Sequence, residues 1–296
     1  MNPPISRRTV TVSLLAGAAA LGTAGVAYPA AAAGSGTPAA AHRHRHRPPL
    51  SPRPTVVLIH GAFADASSWS GVIERLRRQG HRVVAPALPL RGLRSDASYI
   101  RSVLDSIDGP IVLVGHSYGG AVISHAAAGA PQVKALVFIA AFVPDIGESA
   151  LDLTDEFPGS TLAQATTAQS YPLPGGGQGQ ELVIRKDLFR RQFAAGVPVT
   201  TAQVMAAGQR PIALAALQEK ATEAAWKDIP SWYLVATGDR NIPPAAERWM
   251  ARRAGAHTVS VRAPHAVAVS DPAPVTELIL SAVQAVHPVH PVDQRH

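Results

Sequence analysis

The chain has 296 residues, 47% of them hydrophobic, which is enough for one large α/β domain or two small ones. It contains no cysteine, and this excludes disulfides, thiolate metal sites and a cysteine nucleophile. The formal net charge is +7, but residues 1–54 hold six arginines and no acid, so residues 55–296 carry 21 basic and 20 acidic side chains. An electrostatic surface for nucleic acid is therefore not expected on the folded part.

Residues 1–33 have the pattern of a signal peptide. Arg7 and Arg8 precede an apolar stretch at 12–27 that is rich in Ala, Gly, Leu and Val, and the small residues 31–33 suit cleavage. Paired arginines are typical of twin-arginine export, so we predict a secreted protein. The alternative is an uncleaved anchor, which the weak hydrophobicity of the stretch disfavours, and no stable membrane insertion is expected after cleavage.

Residues 34–54 are predicted to be a disordered linker, because they are rich in His, Arg and Pro and poor in large apolar residues. Histidine and arginine alternate from His42 to Arg47. Such histidines can bind a metal or an anionic surface, but the alternating arginines would repel a cation. The tail at 287–296 is also rich in His and Pro and is predicted to be disordered. The expected folded domain is therefore 55–286.

Short apolar segments alternate with amphipathic ones from residue 55. Strands are predicted at 55–59, 81–86, 111–114, 133–141, 231–236 and 258–261. Helices are predicted at about 68–79, 96–107, 121–130, 244–253 and 272–285. Continuously apolar strands separated by helices are typical of an α/β fold whose parallel sheet is buried on both faces.

The alternation fails between 143 and 228. This stretch contains several prolines and a run of three glycines, 175–177, between short helical patterns at 185–195 and 213–225. We predict a mostly helical cap inserted after the fourth strand, with Phe142, Phe193 and Trp226 as candidates to line a substrate pocket.

A G-x-S-x-G motif with Ser117 at its centre lies between the strand at 111–114 and the small-residue helix at 121–130. Strand, sharp turn and helix together are typical of a nucleophile elbow. Gly115 and Gly119 have no Cβ, which lets the strand and the helix approach each other closely.

Three predicted strand ends carry side chains suited to nucleophilic catalysis: Ser117, Asp239 and His265. Serine, acid, histidine is the chain order of one known class of catalytic triad. A histidine can take the serine proton and return it to a leaving group, and a carboxylate can hold the imidazole in place. Asp145, which also follows a strand, is the alternative acid.

These motifs resemble the α/β-hydrolase fold family, and within it the cap-bearing group of bacterial secreted esterases and hydroxynitrile lyases. The resemblance is carried by residues 57–63, 115–120, 237–244 and 264–267. It implies a mostly parallel central sheet flanked by helices, with structural roles for His60 and His116. The backbone N–H of Tyr118 is the first predicted oxyanion donor, and the resemblance implies Ala62, or alternatively Phe63, as the second.

The predicted function is a secreted serine hydrolase that cleaves small-molecule carboxylic esters or lactones through an acyl-enzyme. The alternatives are a hydroxynitrile-lyase-like enzyme, a cofactor-free perhydrolase and a binding protein on an inactive scaffold. The lyases carry threonine and lysine where this chain has Gly61 and Ala266. Neither H-E-x-x-H nor G-x-G-x-x-G is present, so we predict no metal and no cofactor. The oligomeric state is left open.

Overall fold

The structure, a computed structural model, describes residues 53–287. The predicted signal peptide (1–33), all but the last two residues of the predicted linker (34–54) and the tail beyond His287 lie outside this range. Within residues 53–287, no helix has both the length and the apolar character needed to cross a membrane.

Nine strands form two sheets in the described part of the chain. In chain order they are β1 Thr55–Ile59, β2 Val83–Val84, β3 Ile111–His116, β4 Val133–Ile139, β5 Thr166–Pro172, β6 Gln178–Ile184, β7 Ile212–Ala213, β8 Ser231–Ala236 and β9 His257–Val261. The main sheet has the order β2-β1-β3-β4-β8-β9, and its strands pair in parallel. The smaller sheet, β5-β6-β7, is antiparallel.

The helices of the described range connect these strands. They are α1 Ser70–Arg78, α2 Leu93–Asp105, α3 Tyr118–Ala126, α4 Ala150–Glu156, α5 Leu162–Ala165, α6 Lys186–Gln192, α7 Val199–Gly208, α8 Leu214–Gln218, α9 Pro244–Arg253, α10 Val267–Ser270 and α11 Pro272–Val286. Short 3₁₀ helices occur at Ala66–Trp69 and Ala225–Lys227.

The main sheet is buried on both faces, as predicted. Successive residues of β1 point to opposite sides, so Val56 and Leu58 join one apolar cluster while Val57 and Ile59 join another. Helices α1 and α11 cover the first face, and α2, α3 and α9 contribute to the cluster on the second. Burying each such aliphatic side chain contributes roughly 1.5–3 kcal/mol, so both layers hold the strands in place.

Element boundaries differ from the prediction by a few residues. Strand β2 is limited to two residues, since only Val83 and Val84 pair with β1. Strand β4 ends at Ile139 because Ala140 has a φ of 43°, which leaves the extended region. Helix α2 begins at Leu93, so Asp96 lies inside the helix rather than at its start.

The cap, residues 143–228, lies between β4 and β8 but is not mostly helical. It contains helices α4 to α8 and also the antiparallel β5-β6-β7 sheet. Strands β5 and β6 form a hairpin that pairs Thr166 with Ile184 and Pro172 with Gln178. The glycines at 175–177 all have φ near 90° and make the turn of this hairpin. The hairpin escaped prediction because β5 is mainly polar and exposed, so it lacks an apolar alternation.

Candidate active site

Ser117 lies at the turn between β3 and α3 in a strained backbone conformation. Its φ and ψ are 56° and −126°, a region that non-glycine residues rarely occupy. A Cβ on Gly115 would lie 2.6 Å from the Gly119 carbonyl oxygen, and one on Gly119 would lie 2.7 Å from that of Ile59. The two glycines are therefore required for β1, β3 and α3 to meet at this serine.

His265 and Asp239 form a buried pair. His265 Nδ1 donates a hydrogen bond to Asp239 Oδ2, and the two side chains are 1% and 0% exposed. Asp239 Oδ1 accepts two backbone N–H groups, from Asn241 at 2.6 Å and from Ile242 at 3.1 Å. The carboxylate is thus fixed by the loop that follows β8, and its remaining oxygen orients the imidazole.

Asp145 is not part of this pair. It forms a salt bridge with Lys227 and accepts the backbone N–H of Ile146 at 2.7 Å. The hydrogen bond from Lys227 lowers the pKa of this partly exposed carboxyl group. Asp239, rather than Asp145, is therefore the carboxylate that contacts His265.

His116 joins the serine turn to the histidine loop. Its Nε2 donates to the carbonyl oxygen of His265 at 2.9 Å, and the two rings are 4.7 Å apart. Burial, and then the neighbouring His265, lower the pKa of His116 well below its ordinary value. His116 is thus neutral and acts as a structural donor.

His60 has a comparable structural position beneath the β1 turn. Its Nδ1 donates to the Gly61 carbonyl at 2.9 Å, and its Nε2 accepts the N–H of Leu88 at 2.8 Å. Burial lowers the pKa of His60 as well. A Cβ on Gly61 would lie 2.6 Å from Ser117 Cβ, which shows how closely this loop approaches the serine.

The two alternatives for the second oxyanion donor differ in their hydrogen bonding. The N–H of Phe63 donates to the carbonyl oxygen of Arg210 at 3.0 Å and is therefore occupied. The N–H groups of Ala62 and Tyr118 make no hydrogen bond to other described residues. Ala62, adjacent to the Gly61 contact with Ser117, remains the predicted second donor together with Tyr118.

Phe193, at the end of α6 in the cap, packs against the histidines. Its ring centre is 5.2 Å from that of His265 and 6.2 Å from that of His116. Its carbonyl oxygen accepts the N–H of Ala266 at 3.0 Å. The cap therefore supports the histidine loop directly, whereas Trp226, another predicted lining residue, donates its indole N–H to Pro144 elsewhere in the cap.

Asp96 is a fully buried side chain that sequence reasoning missed. Tyr118 Oη donates to its Oδ2 at 3.0 Å, and the Arg91 N–H donates to both carboxylate oxygens at 3.2 Å. Burial raises the pKa of Asp96 to about 6, although these hydrogen bonds oppose the shift. The available signal was its position four residues before Ile100, on the apolar face of α2.

A mainly apolar cavity of about 310 Å³ lies between Phe142 and the cap. Phe142 forms part of its wall, and the N–H of this residue donates to the Ser117 carbonyl at 3.1 Å. The remaining wall comes from the cap, with Leu151, Leu162, Leu182 and Leu217 among its side chains. Within residues 53–287, no group of three or more His, Asp or Glu side chains is placed to hold a metal ion.

The chain is similar in sequence to known hydrolases and esterases. A family model described as alpha/beta hydrolase family matches residues 56–278. A carbendazim hydrolyzing esterase of Nocardioides sp. (strain SG-4G) is 38% identical over 110 residues, which cover 33% of this chain and 46% of the esterase. Methylesterase 1 of Arabidopsis thaliana is 26% identical over 214 residues, which cover 66% of this chain and 81% of that protein.

Solved structures show the same fold. The crystal structure of polyneuridine aldehyde esterase superposes with a TM-score of 0.68 at 21% identity, covering 78% of this chain and 99% of that one. An extracellular alpha/beta-hydrolase from a Paenibacillus species superposes with a TM-score of 0.63 at 25% identity, covering 77% and 98%.

Proposed function

The chain belongs to the alpha/beta hydrolase family, and we propose from this starting point that it is a serine hydrolase of small carboxylic esters. The observation that carries the proposal is the buried His265–Asp239 hydrogen bond at the same end of the sheet as the strained Ser117. The esterase names of the relatives support the same reaction class.

In the proposed mechanism, Ser117 Oγ attacks the ester carbonyl carbon while His265 Nε2 takes the hydroxyl proton. Asp239 stabilises the resulting imidazolium, and the N–H groups of Ala62 and Tyr118 donate to the oxyanion, each contributing about 3 kcal/mol. The imidazolium then gives its proton to the departing alcohol, which leaves an acyl-enzyme. Water, deprotonated by His265, attacks this acyl group and releases the acid with Ser117 restored.

The cavity beside Phe142 accommodates the apolar part of the substrate in this proposal. Five leucines and two phenylalanines are among its 15 lining residues, and its volume of about 310 Å³ suits a small hydrophobic group. A lactone satisfies the same chemistry, since its alcohol remains attached to the acyl group after ring opening. Export by a twin-arginine signal is also proposed, and its support is the sequence of residues 1–33 alone.

The surroundings of Gly61 and Ala266 favour hydrolysis over the lyase alternative. Any side chain on Gly61 would meet Ser117 Cβ at 2.6 Å and the His116 carbonyl oxygen at 2.8 Å, so this turn does not admit threonine. Ala266 is buried and apolar, and thus offers no cation to a departing cyanide. A perhydrolase would use the same three side chains and differ only in the attacking peroxide.

The proposal is tested with nitrophenyl esters of graded acyl length and a set of lactones, assayed on the wild type and on Ser117→Ala. We expect the wild type to cleave short esters and Ser117→Ala to lose nearly all of this activity. A wild type that cleaves none of these substrates would contradict the esterase proposal, and full activity in Ser117→Ala would contradict the nucleophile. Mandelonitrile cleavage and peroxide-dependent peracid formation, measured in parallel, test the two alternatives.

A further inference from the structure

Glu247 is a buried carboxyl group that the proposed mechanism does not use. It lies in the first turn of α9 and is 0% exposed. Its Oε2 accepts the backbone N–H of Ala236, the last residue of β8, at 2.9 Å. Its Oε1 is also buried, and no donor among the described residues faces it. As a carboxylate, Glu247 would carry an unpaired oxygen in the core, which is costly.

Asp239 lies next to Glu247 through Ala236, which donates its N–H to Glu247 and whose carbonyl oxygen accepts the backbone N–H of Asp239 at 3.0 Å. Burial raises the pKa of Glu247, and the charge of Asp239 and its side chain as a neighbour raise it further, because two adjacent buried carboxyl groups are not both ionised. Asp239 already accepts hydrogen bonds from three donors, His265, Asn241 and Ile242. Glu247 receives a single backbone donor, so Glu247 is the member that holds the proton.

Other groups near Glu247 do not reverse this assignment. Tyr233 of β8 is neutral, with its hydroxyl donating to the Ala141 carbonyl, and Arg248 lies on the exposed side of α9. The helix N-terminus favours an anion only weakly compared with the cost of burying an unpaired charge. Burial, and then the charge of Asp239, accordingly raise the pKa of Glu247 well above its ordinary value.

We propose that Glu247 is a positioning residue that acts as a neutral carboxylic acid, donating its proton in a hydrogen bond to the Asp239 carboxylate. This inference rests on the proposed function, because the carboxylate it holds is the one that orients His265. In the proposed site Asp239 accepts hydrogen bonds from both Glu247 and His265, and the imidazole held in this way serves Ser117 as its base. A single negative charge stands behind the imidazole, although two acidic side chains are present.

The test compares kcat/KM against pH for the wild type, Glu247→Gln and Glu247→Leu. Glutamine is neutral at every pH, and its amide both donates to Asp239 and accepts from Ala236. We expect Glu247→Gln to keep kcat/KM within about threefold and the midpoint of the acidic limb within about 0.2 pH unit. Glu247→Leu removes the donor, so kcat should fall about tenfold or more and the acidic limb should move to higher pH. Glu277→Gln, on the exposed side of α11, is the matched control.

Two results would overturn the proposal. A fall of the acidic midpoint by about 0.5 pH unit or more in Glu247→Gln would mean that the wild-type residue is charged. A folded Glu247→Leu with unchanged kcat and midpoint would mean that it positions nothing.

An infrared measurement keeps the proposal testable if Glu247→Leu does not fold or if the wild type cleaves no ester. At pH 8 the wild type and Ser117→Ala should both show a protonated-carboxyl C=O band that is missing from Glu247→Gln. Absence of this band from the wild type would overturn the neutral carboxyl group without reference to activity, and loss of ester cleavage alone would count only against the proposed function.

Discussion

His116 Nε2 lies 2.9 Å from the carbonyl oxygen of His265. The residue that precedes the serine in the chain thus holds the loop that carries the histidine, although 149 positions separate them. The proposed nucleophile and its base are therefore connected through the backbone at Ser117 and the neutral imidazole of His116.

Replacing His116 with alanine should weaken both the fold and the activity. The change leaves the His265 carbonyl without its donor and opens a cavity under Phe193, so we expect a loss of about 2–4 kcal/mol in the free energy of unfolding. Because the histidine loop loses its support, kcat/KM should fall about tenfold or more. Urea denaturation and ester kinetics measure the two effects.

His257→Ala is the control for this change, since His257 is exposed on β9. It removes only a ring contact with Trp232, so it should lower the free energy of unfolding by about 1 kcal/mol or less and leave the kinetics unchanged. Equal effects of the two alanine variants would contradict the role given to His116.

Substitution of asparagine for each candidate acid, Asp239 or Asp145, shows which carboxylate serves His265. Asp239→Asn removes the charge that faces His265 Nδ1 and permits the wrong imidazole tautomer, so kcat should fall by about 10³–10⁴. Asp145→Asn removes only a partly exposed ion pair with Lys227 and should leave kcat unchanged. A large loss of kcat in Asp145→Asn with an active Asp239→Asn would reverse the assignment.

Gly119 should not tolerate a methyl group. A Cβ there would lie 2.7 Å from the Ile59 carbonyl oxygen and 2.8 Å from that of His60, and both contacts are with backbone. We expect Gly119→Ala to lose about 3 kcal/mol or more of stability, or to displace the serine turn and abolish ester cleavage. Thermal denaturation and activity report the two outcomes.

Gly208→Ala is the comparison, because nothing lies within 4 Å of a Cβ at the end of α7. This variant should be neutral or gain about 0.5 kcal/mol. A tolerated Gly119→Ala with full activity would show that the contact between β1 and α3 is looser than the structure indicates.

The free energy of unfolding should depend on pH in the range where Asp96 titrates. The pKa of Asp96 is raised from 3.8 in the unfolded chain to about 6 in the fold, so the folded state binds the proton more tightly between these values. Asp96 therefore does not lower the free energy of unfolding below about pH 4. As the pH rises through its folded-state pKa, it lowers the free energy of unfolding by up to about 3 kcal/mol.

Asp96→Asn cannot ionise and should lack this dependence. Its free energy of unfolding relative to the wild type should increase between pH 4 and pH 8 by an amount that approaches about 3 kcal/mol. Urea denaturation at a series of pH values measures the difference. A constant difference across that range would contradict the raised pKa.

The parallel sheet, and the position of the candidate side chains at the ends of its strands, could be predicted from the sequence. Continuous apolar strands bounded by glycine and proline left few alternatives to a parallel sheet, and the placement of Asp239 and His265 follows from where such strands end. Asp239 and Asp145 both follow strands, so the sequence left both as candidate acids, and the structure brings Asp239 into contact with His265.

What the sequence did not predict depends on packing between distant segments. The β5–β6 hairpin is held by pairing rather than by an apolar face, and its residues resemble a polar loop. Glu247 resembles an ordinary acidic residue in the first turn of a helix, a position where surface glutamates are common. Only the contact of α9 with the end of β8 shows that this side chain is buried.

The cap enters and leaves the main sheet through neighbouring strands, since β4 pairs directly with β8 and Ile139 lies beside Leu234. Because these strands are parallel, the cap leaves the sheet at the carboxyl end of β4 and returns to it at the amino end of β8, where Ser231 lies beside Leu136. The insertion therefore includes the crossover from one end of the strands to the other, and loop closure costs little more for a long crossover than for a short one. A graft of different length or shape that keeps this crossover is expected to alter the substrate range while the sheet keeps its register. Such a graft would have to supply a replacement for Phe193, because the ring that supports His265 belongs to the cap and not to the scaffold.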